Sequence, residues 1–280
     1  MARPMRARQP KMAPWPLLGL LLLAGGPRAA AEPDGGGPAA KAPAPQDPAP
    51  AFRPTRAQAD RPRVRAARAR RTADIRRLFA EAGMAYPPAD VLLRGFKDED
   101  LLELWLRPRG QRRFVHLKDY VICARSGGLG PKRRRGDLQV PEGYYRITAY
   151  NPASSYHLAM LISYPNRSDR LRKSGSDPGG NICIHGNCVT IGCIPLTDRW
   201  IEELYLICLD SDRRNRRRVR VHLFPGRLAG PPWQRLQQRH AEKPGLIRFW
   251  RELKPGHDRF ARDRILPRIR IDQAGRYRWR

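Results

Sequence analysis

The sequence is short of acid, of paired cysteine motifs and of long apolar runs, and each shortage excludes something. Against 55 Lys+Arg stand only 26 Asp+Glu, giving a formal charge of +29 over 280 residues. A chain so basic is drawn to polyanions such as nucleic acid, anionic lipid headgroups or acidic cell-wall polymer. An Arg-rich solvated surface is the plainer reading of the same composition. No recognisable nucleic-acid fold signature accompanies the charge, so nucleic acid is not an expected partner. The apolar run "WPLLGLLLLA" is ten residues long. A bilayer-spanning helix needs roughly 20. The cysteines do not form the two knuckles separated by a longer loop that structural zinc usually uses.

What the N-terminus does have is the order of a secretory signal. "MARPMRARQPKMAP" carries Arg3, Arg6, Arg8 and Lys11 and no acid; the short apolar run follows, then the small residues of "GGPRAAAEP". We read residues 1–31 as a signal peptide cleaved after Ala31, with an uncleaved membrane tether as the alternative. No cysteine near that site suggests a lipoprotein anchor. The expected location is the periplasm or cell envelope, where disulfides are permitted.

Residues 32–71 are expected to be a disordered linker: first Ala/Pro/Gly, "EPDGGGPAAKAPAPQDPAPAF", then the basic collar "RPRVRAARARR". Order is expected from Thr72, a candidate N-cap for "ADIRRLFAEAG", with Ile75, Leu78 and Phe79 on one face and Gly83 stopping the helix. "VLLRGF", "LLELWLRP", "RRFVHLKDYVICA", "YYRITAYN", "YHLAMLISYP" and "RRVRVHLFPG" read as strands. In "NICIHG", Ile182 and Ile184 point one way, Cys183 and His185 the other. "LTDRWIEELYLICLD" reads as a helix capped by Thr197 or Asp198. The fold class is therefore mainly β with helical additions, a domain over 72–226 followed by a basic C-terminal extension, 227–280, with a helix in "GLIRFWRELKPG".

The segment "NICIHGNCVTIGCIPLTD", Asn181 to Asp198, holds three of the five cysteines and one of the six histidines. As a metal site it offers one dense cluster and no second knuckle. As a staple, Cys183 with Cys188, or either with Cys123, is open, and the spacing does not choose. As an enzyme site it has what a thiol nucleophile needs: a base eight positions earlier at His185, and Gly192 directly before Cys193 so that backbone can pass close to a substrate carbonyl. A thiolate paired with imidazolium keeps such a thiol nucleophilic near neutral pH.

Four ordered blocks, "FKDEDLLELWL", "YVICARSGGLGPKRRRGDLQVPEGYYRI", "NPASSYHLAMLISYPNRSDR" and "IHGNCVTIGCIPLTD", make the chain resemble the L,D-transpeptidase catalytic domain of YkuD type, in its YafK-like branch. His185-Gly186 and Thr190, Gly192 and Cys193 match the family's two site elements. Ile191 stands where many members have His, and Pro195 where many have Arg.

The resemblance implies a β-sandwich-like fold, no metal and no cofactor. It implies an exported enzyme acting on peptidoglycan stem peptides, with Cys193 as nucleophile and His185 as base. Gly192, Gly186 and Thr190 become candidates for the cleft and oxyanion site, with the Gly192 and Cys193 amides as donors. Tyr156 and His157 become candidate substrate contacts, and "GDLQVPEG" a cleft wall. The acceptor stays open: a second stem or a wall-linked lipoprotein (transpeptidase), or water (amidase). A non-catalytic module held on the anionic wall is a further alternative. Oligomeric state is not legible.

Overall fold

The computed structural model describes residues 56–279. The expected signal peptide over 1–31 and the linker up to residue 55 lie outside the described residues.

Alternating apolar sequence builds one mixed sheet. β1 (Asp90–Phe96) and β2 (Leu101–Arg107) pair antiparallel, Phe96 opposite Leu101, and β3 (Val115–Val121) extends the outer edge of β2. β4 (Gly143–Asn151), β5 (Ala159–Ile162), β6 (Cys183–His185), β7 (Ile194–Pro195) and β8 (Arg220–Phe224) complete the order β3-β2-β1-β8-β4-β5-β6-β7. The protein is mainly β with helical additions. β1 runs parallel to β8 at the centre and every residue of it is buried. That explains its near-continuous apolar run, because both faces are covered. Val91, Leu93, Val221 and Leu223 enter one core, while Phe96 and Phe224 enter another.

Helices α1 (Arg56–Ala59), α2 (Pro62–Glu81) and α4 (Asp198–Asn215) belong to the first core side. The short α3 (Arg167–Leu171) follows β5. Of the two caps that the sequence offers, Thr197 is the one that caps α4, its hydroxyl accepting from Trp200 N at 3.4 Å.

The start of α2 differs from expectation. The helix begins at Pro62, not at a cap on Thr72, and the supposedly disordered collar over 61–71 is helical from there. Thr72 sits mid-helix and returns its hydroxyl to Arg68 O at 2.7 Å. Two forces order the collar. Val64 and Ala67 are fully buried in line with Ile75 and Phe79, and Pro62 suits a first helical turn. The arginines find carboxylates on α4: Arg68 meets Asp210 at 2.5 Å, while Arg70 and Arg71 meet Glu202 at 2.5 and 3.0 Å. Gly83, at φ +62°, follows the end of the helix as expected.

The C-terminal extension packs against the other face. It is richer than the single expected helix, with α5 (Gly230–Arg239), α6 (Pro244–Asp263) and a hairpin of β9 (Ile269–Ile271) and β10 (Tyr277–Trp279). Trp250, Leu253 and Tyr277 close over Phe96, Tyr144 and Phe224. Trp250 Nε1 donates to the fully buried Glu142 at 2.7 Å, and Lys97 Nζ pairs with the same carboxylate at 3.1 Å. The loop 122–142 is thereby anchored at its base.

Candidate active site

The register of two short strands assembles the site. β6 and β7 run parallel, with Ile184 opposite Ile194 and His185 opposite Pro195. One step back along both chains brings Cys183 beside Cys193. Side chains alternate faces, so Cys183, His185 and Cys193 share one face while Ile182, Ile184 and Ile194 enter the core. The Cys183 amide donates to Cys193 Sγ at 3.4 Å, and His185 is near enough to act on the Cys193 thiol.

His185 is 2% exposed, and its Nδ1 lies 2.6 Å from Gly186 O. A carbonyl only accepts, so Nδ1 carries the hydrogen and Nε2 is left as the basic nitrogen. The Tyr156 ring lies against the imidazole, centroids 4.7 Å apart and planes tilted by 32°. The Cys183 side chain first, and His185 after it, hold the Cys193 thiol well below its ordinary pKa although burial opposes them. The same thiol–thiol contact, with burial, drives Cys183 well above its own. The pair thus favours ionisation at Cys193 over Cys183, whose Sγ lies 3.4 Å from Asn181 O.

The loop carrying Cys193 is tied at both ends. Cys188 is bonded to Cys123, the segment after β3, with Cα atoms 5.4 Å apart. That settles the open pairing and removes Cys188 from any four-ligand zinc set. Asp198 Oδ1 accepts from Asn187 N at 2.9 Å. Thr190 Oγ1 accepts from Gly192 N at 3.2 Å and from Cys193 N at 2.9 Å, and donates to Cys193 O at 2.9 Å. The two amides expected to serve as oxyanion donors are thus directed at Thr190, whose hydroxyl closes the turn. Gly192 takes φ +131°, and a Cβ there would stand 3.0 Å from Gln139 O. Gly186 has a packing role: a Cβ would come within 2.5 Å of Asp198 Oδ1, and its amide is bound to Tyr156 O and Leu158 O.

A cleft of about 270 Å³ opens over this face. Tyr156, His185, Cys183 and Cys193 line it, as do Gly136 and Leu138 of the "GDLQVPEG" wall. Ile191 and Leu138, 52% and 47% exposed, give it an apolar lip. Lys132 and Arg135 stand on one wall, each paired with a carboxylate, Arg135 Nε meeting Asp177 Oδ2 at 2.5 Å. Lys132 Nζ meets Asp137 Oδ1 at 2.5 Å. Burial works against the Asp137 carboxylate, but Lys132 and the amides of Arg134, Arg133 and Gln139 outweigh it and hold its pKa below the ordinary value.

His157 is not in the cleft. It turns away at φ +67° and its Nε2 meets Glu202 Oε1 at 2.9 Å, beside Arg70 and Arg71. Arg63 of α2 donates to Ser154 O at 2.6 Å and to His157 O, so the collar helix also steadies the turn that presents Tyr156. Cys193 also lines a second cleft of about 400 Å³, together with Asp98, Asp100, Arg125, Arg239 and His240 among others. Cys183, Lys132 and Arg135 also line the cleft, beyond the site residues that the sequence singles out. The i, i+2 spacing of Cys183 and His185 on one strand was the signal for the first.

A thiol set beside an imidazole, at a point reached from two clefts on a mixed sheet, has the parts of a nucleophilic-cysteine acyl-transfer site. The model of the L,D-transpeptidase catalytic domain (YkuD) matches residues 101–221. The Escherichia coli K12 protein named "Putative L,D-transpeptidase YafK" is 34% identical over 189 residues, 67% of this chain and 72% of that protein. The chain belongs to the L,D-transpeptidase family. Among solved structures, the helical cell shape determining protein Pgp2 of Campylobacter jejuni is similar at 22% identity and a TM-score of 0.39, over 54% of this chain and 55% of that one. L,D-transpeptidase 1 of Mycobacterium tuberculosis is similar at 11% identity and a TM-score of 0.28, over 48% of this chain and 61% of that one.

Proposed function

We propose that the protein is an exported L,D-transpeptidase that acts on peptidoglycan stem peptides through a thioester on Cys193. The observation that carries this reading is the shared face of Cys183, His185 and Cys193, which puts a depressed thiol beside a base at the mouth of a cleft. In the proposed reaction the Cys193 sulfur bonds to the carbonyl carbon of the third stem residue. His185, holding the proton taken from the thiol, passes it to the leaving D-alanine amine as the peptide bond breaks. An acceptor amine then attacks the thioester and gives its proton back to His185, and the C–S bond breaks to free Cys193.

The second cleft supports an amine acceptor over water, because it gives a second chain its own way to Cys193. That acceptor is a second stem or a wall-linked lipoprotein. With water in its place the same residues make an amidase. Export is supported by the signal-like N-terminus and by the Cys123–Cys188 bond, since such bonds persist in oxidising compartments.

Incubation of the purified protein with muropeptides, followed by mass analysis, tests the reading. Cross-linked product that disappears in Cys193→Ala, with an unchanged circular dichroism spectrum, is the expected result. Freed stems without cross-links mean an amidase. No change in mass means a binding module and overturns the enzyme reading.

A further inference from the structure

Away from both clefts at Cys193 the fold gathers arginine in one concavity. A cleft of about 990 Å³ lies where β4 and β8 meet the chain after α6, and it shares no lining residue with the other two. Arg146 of β4 stands directly opposite Arg220 of β8 in the ladder. Like charges directly opposite each other destabilise a sheet, so ordinary folding gives no reason for that pair. α4 ends at Arg216, which takes the left-handed φ of +52°, and the turn that follows brings Arg216, Arg217 and Arg218 to the same cleft. Arg167 and Arg170 of α3 enter from a third side.

The fold neutralises these charges only in part: Arg217 pairs with Asp90, Asp169 acts on Arg170, and Asp212 acts on Arg218 and Arg220. Asp90 is the one carboxylate lining the cleft among the described residues, and it is already held by Arg107 at 3.4 Å and Arg217 at 3.8 Å. Arg146, Arg167, Arg216 and Arg218 form no ion pair among the described residues. Burial, and then the nearness of Arg218 and Arg220, pull the Arg146 guanidinium below its ordinary pKa, as expected of crowded cations. Leu266, Pro267, Ile269 and Ile271 add apolar lining to the same cleft.

We propose that this cleft binds a ligand presenting two or more phosphate groups close together. Seven guanidiniums around one small volume call for anionic charge at high density. A carboxylate accepts one guanidinium fork, whereas the oxygens of a phosphate accept several, and a second phosphate nearby doubles the charge within the same space. The source is either a phosphorylated lipid headgroup, whose body would lie on the apolar lining, or a free oligophosphate.

The test uses the full chain at about 0.15 M salt, where exposed long-range attraction is largely screened. Inorganic tripolyphosphate is titrated calorimetrically into the wild type, into Arg146→Gln/Arg218→Gln, and into Arg112→Gln/Arg113→Gln, which loses the same charge outside the cleft. The expected result is binding that weakens about tenfold or more in the first variant and stays near wild type in the second, since charge-assisted hydrogen bonds are lost only there. Muropeptide turnover should be equal in all three, which keeps this test separate from that of the proposed function. Vesicles of phosphatidylcholine with cardiolipin distinguish the sources. Capture reversed by tripolyphosphate indicates a lipid headgroup; tripolyphosphate binding without capture indicates a soluble ligand. The proposal is overturned by equal weakening in both variants, by citrate binding as tightly as tripolyphosphate, or by absent tripolyphosphate binding. It is also overturned if an oligonucleotide binds through the cleft while tripolyphosphate does not.

Discussion

Cys183 and Cys193 stand side by side on adjoining parallel strands, the amide of the first donating to the sulfur of the second at 3.4 Å. The relationship moves two neighbouring thiols in opposite directions: Cys183 is held well above the ordinary pKa, Cys193 well below it. Iodoacetamide labelling should separate them. Cys193 should stay reactive far below the pKa of about 8.5 of a free thiol. Cys183→Ala, which removes the neighbouring thiol, should shift the Cys193 labelling midpoint upward, and Cys183→Ser should restore most of it. His185→Ala should move it in the same direction and also abolish turnover. A midpoint unmoved by all three variants would show that neither neighbour tunes the thiol.

The Cys123–Cys188 bond closes a span of 65 residues and pins the loop that carries the candidate nucleophile. A cross-link of this kind typically contributes about 2–4 kcal/mol by restricting the unfolded chain. Cys123→Ala/Cys188→Ala should therefore lower the melting temperature. It should also cost turnover more than substrate binding, because Cys193 lies five residues along the same loop. Equal melting curves with and without reductant would contradict the first part. Unchanged kcat in the double variant would contradict the second.

The sequence made the strands and the Cys193–His185 pairing legible for a local reason. Alternation in "LLELWLRP" and "NICIHG" is written within a few residues, and so is the Thr197 cap. What it concealed depends on distant partners. "RPRVRAARARR" reads as self-repelling coil until Glu202 and Asp210, more than 130 positions away, supply its counter-charges. The parallel register that sets Cys183 beside Cys193 is likewise a property of two chains and not of one. The Gly192 and Cys193 amides looked free because the turn chemistry of Thr190 competes for them over only two or three residues. His157 is drawn from the cleft by Glu202, another contact that local spacing does not encode.

Glu202 joins the collar helix to α4 and has a pH signature. Burial raises its pKa, but Arg70, His157 and Arg71 together bring it down from 4.5 to about 2. A carboxyl depressed in the folded state binds fewer protons there than when unfolded, so its contribution is complete above about pH 4.5 and is lost as pH falls toward about 2. Glu202→Gln should destabilise the fold by about 1–3 kcal/mol at pH 7 and flatten the acid limb of a stability–pH profile measured by urea unfolding. Parallel wild-type and variant profiles between pH 5 and pH 2 would refute this linkage.

The proposed acyl-enzyme has a consequence that distinguishes Cys193 from the other four cysteines. A thiolate that attacks a stem carbonyl should also open the strained ring of a β-lactam, and the resemblance to L,D-transpeptidases makes carbapenems the class to try. The sulfur would bond to the ring carbonyl carbon, the ring C–N bond would break, and the nitrogen would take up a proton from His185. Cys123 and Cys188 are consumed by their mutual bond, and Cys208 is fully buried with a raised pKa. Cys183 is buried, and its own pKa is raised by Cys193. Only Cys193 combines a lowered pKa with exposure to two clefts. Intact-mass analysis after carbapenem treatment should show one adduct, and peptide mapping should place it on Cys193. Thr190→Val, which removes the hydroxyl now holding the Gly192 and Cys193 amides, tests whether these are the anion donors. If they act as the oxyanion site only after leaving Thr190, acylation should hold or accelerate in that variant. If the turn must stay closed to aim Cys193, acylation should fall about tenfold or more. An adduct on Cys183 in the wild type would exchange the roles of the two thiols, and the absence of any adduct would count against an open transpeptidase-type cleft.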